Sequence, residues 1–364
     1  MQLLPVGLMK NNINKSLLKK LVEIKSLSHE TVQCLKALKL IELEINKENI
    51  PIFIDVNEGV PFLIAGNLQQ AEVLFLSHID VVPATNEGFK FKEVGNKFFG
   101  RGVLDMKGPL VATLDAFIKL WKAGHKNIVF AVTSDEEVGG FKGAAFLAKN
   151  ILGRIKMALI PDGSSEDVVL IQKAPFHIKI TARGKSAHGS RPWEGINAAE
   201  NLGKCCGEIL TKINGKKPEE TTATLCQFHS GQTTNMLPNK AEAVMDIRIK
   251  QETEVKAMVK NLNQVTKKFG CKWEQIDEAL FFEIKKEQPL IKKWQQAFRA
   301  IHQKEAGFVI ENGASDARFL WQELKIPIIV TSAKRAGAHS HHEWVDVNSL
   351  NQLSETIVKF IISL

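Results

Sequence analysis

The 364-residue sequence contains no tyrosine and only five cysteines, and it lacks any apolar run of the roughly 18–20 residues that a membrane span needs. The cysteines are odd in number and never spaced as CxxC, which argues against a disulfide framework and a cysteine-type zinc site. The N-terminus also lacks a long apolar signal region. These absences predict a cytoplasmic protein with reduced thiols and no membrane partner. The missing tyrosine has no evident physical cause.

A dense block of basic residues interleaved with aromatics is absent as well. The net charge of +8 comes from lysines spread along the chain and mixed with acidic residues, which argues against a nucleic-acid partner. Such a field would still attract a negatively charged substrate. An apolar fraction of 44% provides material for a core, and the length predicts two domains.

Buried strands alternate with amphipathic helices along both ends of the chain. This alternation predicts an α/β fold with a mostly parallel central sheet and helices on both faces. Residues 176–284 differ, because their half-exposed strands and their helices follow the order βαββαβ of a ferredoxin-like α+β unit. We therefore predict a catalytic domain formed by residues 1–175 and 285–364, with a lid or dimerisation domain inserted at 176–284. An exposed sheet face in the insertion would allow a homodimer.

Three acidic residues, Asp135, Glu136 and Glu137, follow an apolar run at 127–133 that predicts a buried strand. A charge run after a strand is usually a solvated turn, whereas a metal site uses adjacent carboxylates as ligand and as proton carrier. Further ligand-type residues at or just past predicted strand ends are His78, Asp105, Asp162 and His339. Because ligands bind beyond the carboxyl ends of the strands in such sheets, this shared placement favours a metal site.

The predicted donor set mixes imidazole nitrogen with carboxylate oxygen, which suits zinc better than calcium or magnesium. Cobalt or manganese would be able to replace zinc there. A carboxylate that bridges would hold two ions about 3.5–4 Å apart. We therefore predict two Zn²⁺ ions as cofactors.

Seven short motifs occur in order between about residue 70 and residue 350. They are His78-x-Asp80 with Val-Val-Pro after it, Gly-Arg-Gly-x-x-Asp105-Met-Lys-Gly, Ser-Asp-Glu136-Glu137-x-Gly, Pro-Asp162-Gly, Gly-Lys-Ser-Ala-His188, Ser-Asp316-Ala-Arg318 and Ala-His339-x-x-x-Glu343. Together they resemble the co-catalytic zinc hydrolases that include acetylornithine deacetylase, succinyl-diaminopimelate desuccinylase, aminoacylase and carboxypeptidase G. The resemblance implies a zinc exopeptidase-like catalytic domain that hydrolyses amide bonds.

The resemblance also implies which residues hold the metal. Asp105 would bridge the two zinc ions. His78 and Asp162 would complete one site, and Glu137 and His339 would complete the other. Asp162 stands where some relatives carry glutamate, and the specificity of the family varies with this residue.

Three further residues receive catalytic roles by the same resemblance. Asp80 would accept the second N–H of His78 and fix its tautomer. Glu136 would be the general base, taking a proton from the water between the zinc ions and delivering it to the leaving amine. His188, which taken alone has the pattern of a surface histidine, would cross to the site of a partner subunit and stabilise the oxyanion.

Substrate contacts are implied for residues near the other motifs. Asn235 and Arg248 match positions in the insertion that similar enzymes use on substrate. Arg318 would grip a substrate carboxylate, or it would form a helix-surface ion pair with Glu323 or Asp316.

Histidines 339, 341 and 342 are alternative ligands in one loop. The spacing to Glu343 favours His339, which leaves His341 and His342 as loop residues.

The leading hypothesis is a dizinc amidohydrolase that removes an acyl group from an amino acid or cleaves a short peptide beside a free carboxylate. The residues do not separate a deacylase from a carboxypeptidase or a dipeptidase. Narrower alternatives are succinyl-diaminopimelate desuccinylase and acetylornithine deacetylase themselves. A catalytically inactive binding protein is the alternative from another class, and the presence of Glu136 beside a full ligand set argues against it.

Overall fold

The computed structural model describes residues 13–364 apart from 214 and 218, and these residues form two units. Unit 1 comprises the described residues up to Leu170 together with Ile284–Val309 and Ser315–Leu364. Unit 2 comprises Ile171–Glu283 and Ile310–Ala314. The predicted domain limits at 175/176 and 284/285, and the role of the insertion in dimerisation, stay predictions.

The periodicities of the sequence recur as regular elements. The helices of the described chain are α1 (Lys15–Glu23), α2 (Thr31–Asn46), α3 (Lys107–Lys122), α4 (Ala144–Asn150), α5 (Ala198–Ile213), α6 (Val255–Lys268), α7 (Pro289–His302), α8 (Ala317–Leu324) and α9 (Val347–Ile362). The strands are β1 (Ile52–Asn57), β2 (Val60–Gly66), β3 (Val73–His78), β4 (Lys92–Val94), β5 (Lys97–Phe99), β6 (Ile128–Thr133), β7 (Met157–Ile160), β8 (Val168–Gln172), β9 (Ala174–Arg183), β10 (Thr222–Ser230), β11 (Lys240–Ile249), β12 (Cys271–Gln275), β13 (Phe282–Glu283), β14 (Phe308–Glu311), β15 (Ile328–Val330), β16 (Arg335–Ala336) and β17 (Trp344–Asp346).

The central sheet of unit 1 has the strand order β1-β2-β6-β3-β7-β15. Strand β3 runs parallel to β6 and β7, and β15 runs parallel to β7, whereas β1 and β2 form an antiparallel hairpin at one edge. All residues of β3 and β6 are buried, so both faces of the sheet are covered at its centre. The predicted α/β fold with a mostly parallel sheet is confirmed.

Helices cover this sheet with their apolar faces. Helix α3 packs against β3 and β6, and α9 packs against α3 and α7. The side chain of Asp346 caps the start of α9 by accepting a hydrogen bond from the backbone N–H of Ser349 at 2.9 Å.

Among the described residues, no helix combines the length and the hydropathy that a membrane crossing requires.

Unit 2 contains an antiparallel sheet with the order β10-β11-β9-β12. Its elements follow the chain order βαββαβ, with α5 and α6 packed against the sheet. Alternate residues of β9 and β11, including Ile178, Ile180 and Met245, join the core of the unit. The intervening residues form a half-exposed face, as the period-two pattern predicts.

The short strands were not predictable from periodicity. Phe308–Glu311, for example, forms β14 in a three-stranded sheet ordered β13-β8-β14. A further sheet, ordered β16-β17-β5-β4, joins segments from opposite ends of the chain. Strands of two to five residues hold too few side chains for a period to show, and their pairing depends on distant segments.

Candidate metal centre

Ligand-type side chains of unit 1 collect at the carboxyl edge of the central sheet. His78 is the last residue of β3, and Asp162 follows β7 after Pro161. The acidic run begins two residues after β6, where Glu136–Val138 forms a short 3₁₀ helix. Because β3, β6 and β7 are parallel, their carboxyl ends lie at one edge and bring these residues together.

Asp105 lies between two histidines. Its Oδ1 is 3.3 Å from Nε2 of His78, and its Oδ2 is 3.2 Å from Nε2 of His339. The same nitrogen of His339 lies 3.1 Å from Oε2 of Glu137, and Nε2 of His78 lies 4.0 Å from Oδ1 of Asp162. One carboxylate therefore faces both imidazoles, with a separate oxygen toward each.

The donor atoms divide into two groups, in each of which all atoms lie within 4.8 Å of one another. The first group is His78, Glu136 and Asp162, and the second is Asp105, Glu137 and His339. The structure thus brings together all five predicted ligands and the predicted base. The first group differs from the one that the resemblance implies, because it contains Glu136 in place of Asp105. Oδ1 of Asp105 nevertheless lies near His78.

The residues fit a pair of divalent cations. Nε2 of His78 is buried and has no hydrogen-bond partner among the described residues, which leaves its lone pair facing the carboxylates. Four carboxylates and two imidazoles supply a mixed oxygen and nitrogen donor set with an excess of negative charge. That chemistry suits zinc and its divalent substitutes.

Burial and charge shift the pKa values of these groups in opposite directions. Burial raises the pKa of Glu136 well above its ordinary range, against the opposing effect of His78. Burial opposes ionisation of Asp105 too, but the neighbouring imidazoles of His339 and His78 hold its pKa well below the usual range. Hydrogen bonds to Asp105 and Glu137 raise the pKa of His339 to about 10. A raised pKa of this kind suits a carboxylate such as Glu136 to accept and release a proton.

Asp80 is fully buried and organises both sides of the site. Nδ1 of His78 lies 3.1 Å from the backbone carbonyl of Asp80 and 3.2 Å from its Oδ1. The Asp80 carboxylate also accepts hydrogen bonds from the backbone N–H groups of Glu136 and Glu137, at 3.2 and 3.1 Å. The sequence pointed to the contact with His78 but not to the second role, which holds the acidic turn in place.

A buried ion pair that sequence reasoning missed supports two ligand loops. Nη1 of Arg101 donates to Glu343 at 2.6 Å, and Nη2 donates to the carbonyl of His339 at 3.1 Å. The other oxygen of Glu343 accepts from the backbone N–H of Leu104 at 3.1 Å, next to Asp105. The occurrence of Arg101 and Glu343 inside two of the motifs was the available signal.

Arg318 is buried rather than on a helix surface. Its Nη2 donates to the carbonyl of Gly139 at 2.7 Å, and its guanidinium lies 4.8 Å from the ring centre of Phe319. The ion pairs of the described residues include none between Arg318 and either Glu323 or Asp316. The surface ion-pair alternative is therefore wrong for this geometry.

The other histidines of the ligand loop take no part in the donor groups. His341 and His342 are exposed, whereas His339 contributes to the second group. His339 also has a φ of 62°, in the left-handed region, so the loop turns at this residue.

Unit 2 carries the remaining predicted residues. His188 is exposed, and its Nδ1 accepts a hydrogen bond from the backbone N–H of Ser190 at 3.2 Å. The next residue, Gly189, donates its N–H to the carbonyl of Asn235 at 2.7 Å, so the His188 and Asn235 segments lie side by side. Arg248 lies on β11, where Asp246 binds its guanidinium.

A mostly parallel sheet with clustered carboxylates and imidazoles at its carboxyl edge is typical of metal-dependent hydrolases. Residues 74–363 match peptidase family M20/M25/M40, and the chain belongs to this family. The predicted resemblance is thereby confirmed. Members of this family are metal-dependent peptidases and related hydrolases, so the chain is a hydrolytic enzyme.

Similar proteins in this family carry the names of different hydrolytic activities. The chain is 25% identical to succinyl-diaminopimelate desuccinylase of Rickettsia akari over 381 aligned residues, which cover 95% of this chain and 98% of that protein. It is 29% identical to aminoacylase-1 of Sus scrofa over 241 residues, and this match spans 56% of the chain and 58% of the relative. A tripeptidase structure from Staphylococcus aureus shares the fold with a TM-score of 0.80 at 23% identity, covering 96% of this chain and 98% of that one.

Proposed function

We propose that the chain is a dizinc amidohydrolase that cleaves the amide bond of an N-acyl amino acid or short peptide next to a free carboxylate. The observation that carries the proposal is Asp105, whose two oxygens face His78 and His339 separately at 3.3 and 3.2 Å. A carboxylate shared in this way is the central ligand of a two-metal site.

The proposed ligand assignment is the one that the resemblance implies, and the distances from Asp105 to His78 and His339 support it. His78 and Asp162 would hold one zinc ion, Glu137 and His339 the other, and Asp105 both. Cobalt or manganese would substitute, because they accept the same donors. When bound, the metal pair would polarise the scissile carbonyl and lower the pKa of water.

Glu136 acts as the general base in this proposal. Its backbone N–H donates a hydrogen bond to the Asp80 carboxylate, which holds the residue in place. Burial raises the pKa of Glu136 toward the range in which a general base works. Its carboxylate accepts a proton from the attacking water and later delivers it to the nitrogen of the leaving amine. Asp80 positions His78 and Glu136 together, so the base and a ligand keep their relative placement.

His188 supplies a donor for the oxyanion. Because its Nδ1 accepts from the backbone N–H of Ser190, the neutral ring carries its proton on Nε2 and can donate there. Asn235, Arg248 and Arg318 would bind the substrate, with the guanidinium groups directed at its carboxylate. We further propose a homodimer formed through unit 2, in which His188 acts at the site of the partner.

Two relatives support an acyl group or a short peptide as the substrate. The desuccinylase is similar over nearly its whole length, and the aminoacylase is similar over about half of it. Desuccinylase, acetylornithine deacetylase and dipeptidase activities are the specific candidates within the class.

A substrate screen with zinc-loaded protein tests the proposal. The panel contains N-acetyl and N-succinyl amino acids, dipeptides, tripeptides and longer peptides with free C-termini, and each substrate is paired with its C-terminal amide. We expect hydrolysis of at least one substrate, a strong preference over the paired amide, and loss of activity with a chelator. Metal binding without hydrolysis of any member would instead support the inactive binding protein.

A further inference from the structure

A line of four charged or titratable side chains crosses the half-exposed face of the unit 2 sheet. It runs from Asp277, just past β12, to His177 on β9, and on to Asp246 and Arg248 on β11. His177 and Asp246 are direct partners in the antiparallel register of β9 and β11. The line therefore follows the strand order of the sheet.

Each side chain in the line contacts the next through a defined atom. Oδ2 of Asp277 contacts Nδ1 of His177, and Oδ1 of Asp277 accepts the backbone N–H of His177 at 3.0 Å. Nε2 of His177 lies 3.5 Å from Oδ1 of Asp246. Both ring nitrogens of His177 thus face carboxylates, which fixes the plane of the ring.

Asp246 in turn holds one edge of Arg248. Nε of Arg248 donates to Oδ1 at 2.8 Å, and Nη2 donates to Oδ2 at 3.0 Å. This bidentate pair sets the plane of the guanidinium, which otherwise rotates freely on a long side chain. No hydrogen bond from Nη1 occurs among the described residues, so this end of the guanidinium is available to a ligand.

We propose that Asp277 and His177 are positioning residues that hold Asp246, and through it Arg248, in the orientation that binds a substrate carboxylate. The proposal rests on the proposed function, in which Arg248 contacts the substrate. Arg248 binds the carboxylate through the Nη1 end, while Asp246 occupies the opposite edge. Asp277 and His177 touch no substrate atom and act only by limiting the motion of the guanidinium.

The same sheet face offers a matched control. Lys179 on β9 and Glu242 on β11 form an ion pair of 2.7 Å, with side chains as exposed as those of the proposed line. Glu242→Gln removes a charge from the same pair of strands without touching Asp246 or Arg248. Any general effect of weakening the sheet is therefore present in this control.

The test compares His177→Gln and Asp277→Asn with Glu242→Gln in the metal-loaded full chain. For a substrate with a free carboxylate, we expect KM to rise about three- to tenfold in the first two variants, with kcat within about twofold. KM for the corresponding carboxamide should not change, and Glu242→Gln should match the unmodified chain. An equal rise of KM for acid and amide, or an equal effect of Glu242→Gln, would overturn the proposal.

A second readout does not depend on activity. The ¹H–¹⁵N signal of the Arg248 Nε–H, identified by its loss in Arg248→Lys, should broaden in His177→Gln and Asp277→Asn and stay sharp in Glu242→Gln. An unchanged signal in both variants rejects the positioning role. If the unmodified protein hydrolyses no substrate, the proposed function fails, and this signal still decides whether the line orders Arg248.

Discussion

Unit 1 and unit 2 both assemble charged side chains on a sheet, but at different places. In unit 1 the sheet is covered on both faces, and the charged groups lie at its carboxyl edge, where His78 is 1% exposed. In unit 2 the charged groups lie across an open sheet face, where the side chain of His177 is 32% exposed. A parallel sheet under helices leaves only its edge for chemistry, whereas an antiparallel sheet with one open face can present residues along its strands.

The difference has an energetic consequence. The partly buried carboxylates at the unit 1 edge outnumber the two imidazoles beside them, and a cation would offset their charge, since burial opposes ionisation. The carboxylates of unit 2 are partly hydrated and are already paired with His177 and Arg248. Changes of the proposed metal ligands in unit 1 should therefore remove metal, and changes in unit 2 should alter turnover or substrate affinity while metal remains bound.

The largest expected effect separates ligand from base within unit 1. Glu136→Ala should keep its metal and lose about 10²–10⁴-fold or more in turnover, because it removes the proposed proton acceptor. His78→Ala should lose metal as well as activity. Metal per chain by mass spectrometry, measured beside turnover, distinguishes the two. Equal metal loss in both variants would show that Glu136 is a ligand.

A unit 2 substitution should lower turnover without touching the metal. His188→Ala removes the proposed oxyanion donor and should reduce kcat about 10²–10³-fold with unchanged metal content. Loss of metal in this variant would contradict the division of roles between the units.

Mixing variants tests whether His188 acts in the partner subunit. Mixed dimers of His188→Ala with Glu136→Ala contain one site with both functional groups if the residue crosses the dimer. We expect partial recovery of activity in these dimers. Absence of recovery in verified mixed dimers would show that each site is self-contained.

Removing the buried ion pair of unit 1 should destabilise the fold. Glu343→Gln leaves Arg101 unpaired in a buried position and should lower the free energy of unfolding of the metal-free protein by about 3–5 kcal/mol. Burial raises the pKa of Glu343 to about 7, so urea unfolding at pH 8 measures the ionised pair. Glu72→Gln, which breaks an exposed pair with Lys156, should lower the free energy of unfolding far less, because water screens that pair. Similar losses in the two variants would show that Arg101–Glu343 gives no special support.

A further expected effect is a dependence of metal affinity on pH. The pKa of His339 is raised to about 10 in the metal-free fold, whereas the unfolded value is about 6.5. Protonation of His339 therefore stabilises the metal-free fold fully below pH 6.5, and this stabilisation is lost as the pH rises to about 10. Metal must displace this proton, and affinity should rise up to about tenfold per pH unit over that window.

Calorimetry in buffers of different ionisation enthalpy measures the proton released on metal binding. His339→Gln should abolish one released proton, whereas His341→Gln, an exposed histidine of the same loop, should not. Metal affinity that is constant between pH 6.5 and 9 would be incompatible with a protonated His339 in the metal-free protein.

Much of the fold was readable from the sequence because its cause is local. The apolar run at 128–133 is the whole of β6, and the period-two segments of unit 2 became β9 and β11. The candidate site was also accessible, since the ends of parallel strands meet at one edge wherever those strands pair. Residues such as His78 and Asp162 could thus be grouped before their distances were known.

Tertiary structure alone decided the partnerships that join distant segments. Arg101 and Glu343 stand 242 residues apart, and Asp277 meets His177 across 100 residues. Asp80 supports the Glu136 turn only because β3 and β6 are neighbours. The sequence determined which segments form the longer strands and helices and which side chains carry metal-binding chemistry. Packing between distant elements decides which other side chains orient these metal-binding groups. The periodicity of the sequence is a local pattern and does not contain that information.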